Sequence, residues 1–239
     1  MSLLEIRNVT KRFGGIVANH DITLDVHEGE IVGLIGPNGA GKSTLFDVAT
    51  GYYRPEHGEI RFAGTNLRGR RPDEINVRGI ARTFQKMKPF PSMTVLENVV
   101  VGALLRTNDL REARARALEQ IAFVGLSEKW DAYAGSLSTG QRKRLEMARA
   151  MSTRPRLLLL DEVTGGVDQR SIPALVELIG RLRDQCVTLV VIEHNMRVIM
   201  AVSDRIVALH LGEKIADGPP AEVTRDRRLI EAYLGEAYA

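Results

Sequence analysis

The residues with the clearest chemical content lie between positions 36 and 43. Gly36-Pro37-Asn38-Gly39-Ala40-Gly41-Lys42-Ser43 fits G-x-x-x-x-G-K-[ST] and follows an apolar run, Ile31–Ile35, that reads as a strand. Glycines at such a turn let backbone N–H groups close round a chain of phosphates, and the helix that opens there turns its positive end toward the same charge. Lys42 is spaced to reach the β- and γ-phosphates, and Ser43, with Thr44 beside it, stands where a hydroxyl meets Mg²⁺. Typical residue frequencies give this pattern roughly 5 × 10⁻⁵ odds per position, on the order of one accidental match per hundred chains of this length. A dinucleotide reading of the same glycines fails, because G-x-G-x-x-G from Gly39 needs glycine where the chain has Thr44. A guanine-reading Asn-Lys-x-Asp string is also missing; the nearest, Glu128-Lys129-Trp130-Asp131, lacks the Asn. ATP with Mg²⁺ is the expected ligand pair.

A second group of polar residues sits at the ends of apolar runs. Asp161 and Glu162 follow Leu157–Leu160, so two acids close a strand that reads as buried on both faces. Ligands of open α/β sheets bind at such carboxyl ends, and a buried strand that ends in acids is costly unless they have work there. Beside a phosphate loop, Asp161 is expected to support Mg²⁺ and Glu162 to polarise the attacking water. His194 closes Val187–Ile192 in the same manner, one residue beyond Glu193. His20, His27, His57 and His210 show no metal-ligand spacing and read as surface or turn residues. Ser138 and Gly140 precede a helical run to Met151, so their hydroxyl and N–H groups form an anion site as well as a helix cap. Taken singly, Gln85 reads as polar surface and Phe13 as packing.

The set as a whole resembles the ATP-binding-cassette ATPases. Leu137-Ser138-Thr139-Gly140-Gln141 looks like that family's L-S-G-G-Q signature. With it, in the family's order, come the phosphate loop, the strand ending at Asp161 with Glu162, a Q-loop-like Ala81-Arg-Thr-Phe-Gln85, a D-loop-like Gly166-Val167-Asp168, and His194 in the place of the switch histidine. The resemblance covers nearly the whole chain. It implies that Gln85 contacts Mg²⁺ or water, that Phe13 stacks on adenine, and that His194 holds the γ-phosphate and water in line. It also implies that Ser138, Thr139, Gly140 and Gln141 serve the ATP of a second ATPase subunit, in a homodimer or a heterodimer. Two positions depart from the pattern: Thr139 replaces the second signature residue, usually Gly, and Val163 stands where Pro commonly follows the glutamate.

Within the family, Arg78-Gly-Ile-Ala-Arg-Thr-Phe-Gln85, Ile192-Glu-His-Asn-Met196 and the terminal Tyr233-Leu-Gly-Glu236 look most like the branched-chain amino-acid import ATPases. Lipopolysaccharide-export ATPases share much of this and stand second. Soluble repair or translation ATPases acting on nucleic acid stand further off. Only residues 86–136 separate Gln85 from the signature, too few for the coiled-coil insertion of repair members. Met87, Phe90 and Met93, in a Pro-rich loop after Gln85, suit a short helix from a membrane permease. The expected partners are therefore permease subunits and, indirectly, a substrate-binding protein, with no nucleic acid. The expected location is cytoplasmic, peripheral on the inner face of the cell membrane.

These side chains need a frame to bring them together. Leu3–Val9, Asp21–Val26, Glu30–Ile35 and Glu59–Ala63 read as strands, and Lys42–Thr50 as a helix closed by Gly51. Between about 93 and 135, Leu104, Leu110, Ala113, Ala117, Leu118, Ile121 and Phe123 recur near helical spacing. After Gly140 strands and helices alternate: a helix to Met151, strand Arg156–Leu160, helix Ile172–Arg183, strand Val187–Ile192, another helix, and strand Arg205–His210. The expected fold is α/β, a P-loop NTPase-type, mostly parallel core sheet with an antiparallel β subdomain and a small α-helical subdomain, the last over 93–136 and the core over 1–92 and 137–239.

Composition agrees with one large domain. The 239 residues are 44% apolar and 26% charged, which excludes a disordered or collagen-like chain. Thirty-three basic residues against 30 acidic leave a net charge of +3, and Arg68–Arg71, Arg142–Arg144 and Arg225–Arg228 are runs mixed with acids rather than one basic groove. A single cysteine, Cys186, excludes an intrachain disulfide and suits a reducing compartment. The longest apolar run, Val99–Leu105, is far short of the ~18–20 residues that cross a bilayer. The opening segment, with Glu5 and strand-like alternation, reads as no signal peptide.

Overall fold

A computed structural model describes residues 2–237 and divides their strands between two sheets. The first is antiparallel, in the order β2-β1-β4-β5. Its strands are β1 (Ser2–Phe13), β2 (Ile16–His27), β4 (His57–Phe62) and β5 (Thr65–Asn66). Alternation drives it: Leu4, Ile6 and Val9 are buried opposite Val26, Leu24 and Ile22, while Glu5 and Arg7 turn outward toward Asp25 and Glu59. Both long strands run past their predicted ends. The alternation that marks them breaks at Asn8, where φ is 50° and the pairing register slips, and pairing resumes beyond it to Phe13.

The second sheet runs β10-β9-β3-β8-β7-β6 and is parallel except for β10. Its strands are β3 (Ile31–Ile35), β6 (Ile80–Arg82), β7 (Leu157–Asp161), β8 (Thr188–Ile192), β9 (Arg205–His210) and β10 (Glu213–Gly218). Every residue of β3, β7 and β8 is buried, as strands covered on both faces require. One face meets the antiparallel sheet and α1 (Lys42–Ala49), in a core that joins Val32 and Leu34 to Leu45, Phe46 and Ile60. The other meets α6 (Ile172–Asp184) and α7 (Met196–Val202), with Leu175, Ile179 and Ile199 packed on Leu158, Leu160 and Val191.

Three helices outside the sheets pack together: α3 (Val95–Ala103), α4 (Leu110–Phe123) and α5 (Thr139–Ser152). Thr94 and Glu97 form a capping box that starts α3, and Asp109 caps α4. Of the predicted apolar stripe, Ala113, Ala117 and Ile121 are buried, whereas Leu104, Leu110 and Leu118 face outward. The arginine-rich α4 needs only a narrow strip of small residues to lie against its neighbours. Elements missed in the sequence are the short β5, β6, β10, α2 (Pro72–Arg78) and α8 (Pro220–Val223), and the 11-residue α9 (Arg227–Ala237). Of the terminal Tyr233–Glu236 string only the Tyr233 side chain is described. No helix among the described residues is long and apolar enough to cross a membrane.

Candidate nucleotide and catalytic site

Four parallel strands of the core sheet deliver polar residues from their carboxyl ends to one edge. β3 runs into the loop 36–41, β7 ends in Asp161, β8 leads to His194, and β6 leads to Gln85. An open cleft of about 470 Å³ lies there, lined by Asn38, Gly39, Ala40, Gly41, Lys42, Ser43, Thr44, Gln85, Glu162 and His194, with Ile16, Val17, Ala18 and Leu211 on its other flank.

The loop's shape depends on two of its glycines. Gly36 has φ 146° and a Cβ there would meet the Leu209 carbonyl oxygen at 2.1 Å; Gly41 has φ 97° and its Cβ would meet the Ala18 carbonyl oxygen at 2.1 Å. No side chain fits either place. Asn19 donates from Nδ2 to the Gly41 carbonyl at 3.1 Å, and the Gly36 N–H donates to the Tyr233 hydroxyl at 3.1 Å. Lys42, only 6% exposed, folds back so that Nζ donates to the carbonyls of Gly36 at 2.6 Å and Pro37 at 2.7 Å. An ammonium held over that loop is a ready counter-charge for a phosphate.

Glu162 stands opposite. Gln85 Nε2 donates to its Oε1 at 2.9 Å, and His194 Nε2 lies 2.9 Å from the same oxygen, a bond that requires the proton on Nε2. Its own backbone is in the left-handed region, φ 50°, held by donation of its N–H to Ile192 and by Lys143 Nζ, which donates to its carbonyl at 2.7 Å. Strain of this kind collects where a side chain must be aimed. Asp161 is 1% exposed; burial pushes its carboxyl up, against the lowering pull of Arg82. Its Oδ1 is buried with no hydrogen-bond partner. A buried acceptor left open on a carboxylate beside a phosphate loop fits a divalent cation.

The remaining predicted residues lie elsewhere. Ser138 caps α5: its Oγ accepts from the Gln141 N–H while Gln141 Oε1 accepts from the Ser138 N–H. Thr139 and Gly140 form the first turn, beside Gly166 and Val167 of the segment that leads to Asp168. Asp168 holds its own turn through Ser171 and Arg170. None of these lines the cleft. Phe13 is 40% exposed at the end of β1, edge-on to Tyr53 with ring centres 4.9 Å apart, and is not among the lining residues. The four other histidines carry no cluster, since no group of three or more His, Cys, Asp and Glu suited to a metal occurs among the described residues.

A profile described as "ABC transporter" matches residues 19–165. The chain belongs to the ABC transporter family. It is an ATP-binding cassette, the ATPase component of such transporters, and it has the ABC ATPase fold. A second profile, for branched-chain amino acid ATP-binding cassette transporters, matches 213–239. Among similar proteins, the high-affinity branched-chain amino acid transport ATP-binding protein BraF of Pseudomonas aeruginosa is 40% identical over 98% of both chains. The corresponding protein LivG of Escherichia coli K12 is 39% identical over the same share. A crystal structure of the ADP conformation of an ATP-binding cassette superimposes with a TM-score of 0.89, at 30% identity over 98% of this chain and 99% of that one. A dimeric bacterial ABC transporter cassette gives 0.83, at 29% identity over 91% and 98%.

Several contributors to the site escaped the sequence reading. Arg82, Lys143 and the pair Glu193–Thr164 are buried or nearly so and work through neighbours. Glu193 accepts from the Thr164 N–H at 2.7 Å and its hydroxyl at 2.8 Å, tying the turn after Glu162 to the strand that carries His194. The available signal was a charge inside an apolar run, as in Ile80-Ala81-Arg82. Two adjoining hollows, of about 330 and 420 Å³, separate the core from α3 and share Asn76, Arg82, Phe84, Val101, Gly102 and Thr153. Phe90 and Tyr52 rim this groove; Met87 and Met93 are half-buried nearby.

Proposed function

We propose that this cassette hydrolyses Mg²⁺-ATP at the cleft and so powers import of branched-chain amino acids through separate membrane subunits. The observation that carries the reading is the convergence of Lys42, Gln85, Glu162 and His194 on one cleft from four different strands. Lys42 and the loop N–H groups take the triphosphate. Ser43, Asp161 and Gln85 would hold Mg²⁺, which when bound neutralises charge on the transferred phosphoryl group. Glu162 accepts the proton of the attacking water, and His194, by its bond to Oε1, orients that carboxylate. Phe13, exposed at the end of β1, is the contact for adenine.

The signature residues Ser138–Gln141 and the D-loop Asp168 do not line their own cleft, so their ligand comes from a second cassette, a copy or a relative. The dimeric cassette among the similar structures supports that arrangement. The groove between core and α3 is the proposed seat of the permease, with Phe84, Phe90 and Val101 as its apolar contacts. Residues 93–136 are the proposed helical subdomain, and the location follows as peripheral on the inner face of the membrane. The cargo assignment rests on the relatives' names and on the C-terminal profile match, which favour amino-acid import over lipopolysaccharide export.

Purification of the chain from membranes with its associated permease, followed by reconstitution in vesicles, tests the whole. ATPase activity that rises with leucine, isoleucine or valine and a substrate-binding protein is the expected result. Activity that responds to a lipid or a nucleic acid instead overturns the cargo.

A further inference from the structure

Arg82 closes β6 with a side chain only 7% exposed. Its Nη1 donates to Asp47 on α1 at 2.5 Å and its Nη2 to Oδ2 of Asp161 at 3.0 Å. The planar group is clasped by two rings, 5.6 Å from the centre of Phe46 and 5.1 Å from that of Phe84. The next residue, Thr83, accepts the Asp161 N–H on its hydroxyl at 3.1 Å. Asp161 is thus held at its backbone and at Oδ2, while Oδ1 is buried and without a partner. A carboxylate gripped by one oxygen cannot rotate freely, and a rigid guanidinium fork fixes its plane where a lysine point charge would not.

We propose that Arg82 is a positioning residue that holds Asp161 by Oδ2 so that Oδ1 stays presented to the metal of the bound nucleotide. The proposal rests on the reading of Asp161 as a metal-holding residue. Outer partners of metal-binding carboxylates act in this way, setting the orientation of a ligand they do not themselves replace.

The test is binding of a fluorescent ATP analogue to the full chain, titrated with MgCl₂ and repeated in EDTA, for wild type, Arg82→Gln, Arg82→Lys, Asp47→Asn and Asp161→Asn. Arg82→Gln is expected to raise the half-saturating Mg²⁺ concentration by about 10-fold or more, with binding in EDTA unchanged. Arg82→Lys should fall between it and wild type, and Asp47→Asn, which leaves the Arg82–Asp161 pair, should stay close to wild type. If Arg82→Gln loses its folded thermal transition, the lysine variant carries the test. Equal loss with and without Mg²⁺ would mean a packing role and overturn the proposal. So would unchanged Mg²⁺ dependence in both arginine variants while Asp161→Asn raises it. If Asp161→Asn itself leaves the Mg²⁺ dependence unmoved, the metal-holding reading of Asp161 fails first, and the Arg82 proposal with it.

Discussion

The carboxyl edge of the six-stranded sheet and the start of α5 both offer hydrogen-bond donors suited to phosphate, but their surroundings differ. At the sheet edge four strands bring a loop, a lysine, a glutamate, a glutamine and a histidine to one open cleft, with the buried Asp161 next to that glutamate in the chain. At α5 the chain supplies a capped helix start, where the Ser138 N–H donates to Gln141 and the Ser138 Oγ accepts from the Gln141 N–H, beside the segment leading to Asp168. The first gathers its groups within one chain; the second is the region proposed to be completed by another cassette. A helix N-terminus with nothing of its own opposite it acquires a ligand only from a second molecule.

The sheet-edge site depends most on Glu162. Glu162→Gln should lower ATP turnover by about 10³-fold while nucleotide binding persists, and size exclusion with ATP should then show a dimer; turnover within tenfold of wild type removes the general base from the sheet-edge site. Gly140→Asp addresses the other region. Its Cβ would sit in ordinary contact, 3.6 Å from Val167, so the fold should hold, and nucleotide binding by the separate chain should be unchanged while steady-state hydrolysis falls about 10²-fold from a misplaced negative charge. Loss of binding in the separate chain would show that the two regions act together within one subunit.

Lys42→Ala comes next, with nucleotide affinity measured directly expected to fall about 10-fold or more as a charge-assisted contact is lost. Gly41→Ala puts a Cβ 2.1 Å from the Ala18 carbonyl at φ 97°, so the loop must shift, and thermal unfolding should show a cost of at least the ~1–3 kcal/mol of the backbone strain by itself. The smallest effect is at Glu146 on α5, whose carboxyl burial pushes up despite the Lys88 N–H and Arg149. A folded chain that keeps this proton longer than the unfolded one loses stability as pH rises from the ordinary glutamate range through the raised value. Glu146→Gln should flatten that part of the stability-pH curve; an unchanged curve would place the dependence elsewhere.

Legibility in the sequence followed periodicity and cost. Leu157–Leu160 and Val187–Ile192 were readable because strands buried on both faces are continuous apolar runs, and the loop 36–43 because glycine, lysine and serine are needed at fixed spacing. β6 was not, since three residues with an arginine at the end carry no period, and that arginine is buried only because Asp47 and Asp161 meet it. Leu110 and Leu118 fit a helical stripe and yet face outward, because the helix beside them approaches along Ala113 and Ala117.

Residue type and spacing by themselves marked the phosphate loop and the acids that close a buried strand, because glycine turns and strand-end charges answer local backbone and burial needs; the expected roles of His194 and Ser138–Gln141 came from the family resemblance. Which of them meet was decided by topology. Parallel strands bring residues 42, 85, 162 and 194 to one edge and leave 138–141 outside that cleft. The grip of Gln85 and His194 on Glu162, and of Arg82 on Asp161, depends on distances of about 3 Å between residues 32 to 79 positions apart, which no local pattern encodes.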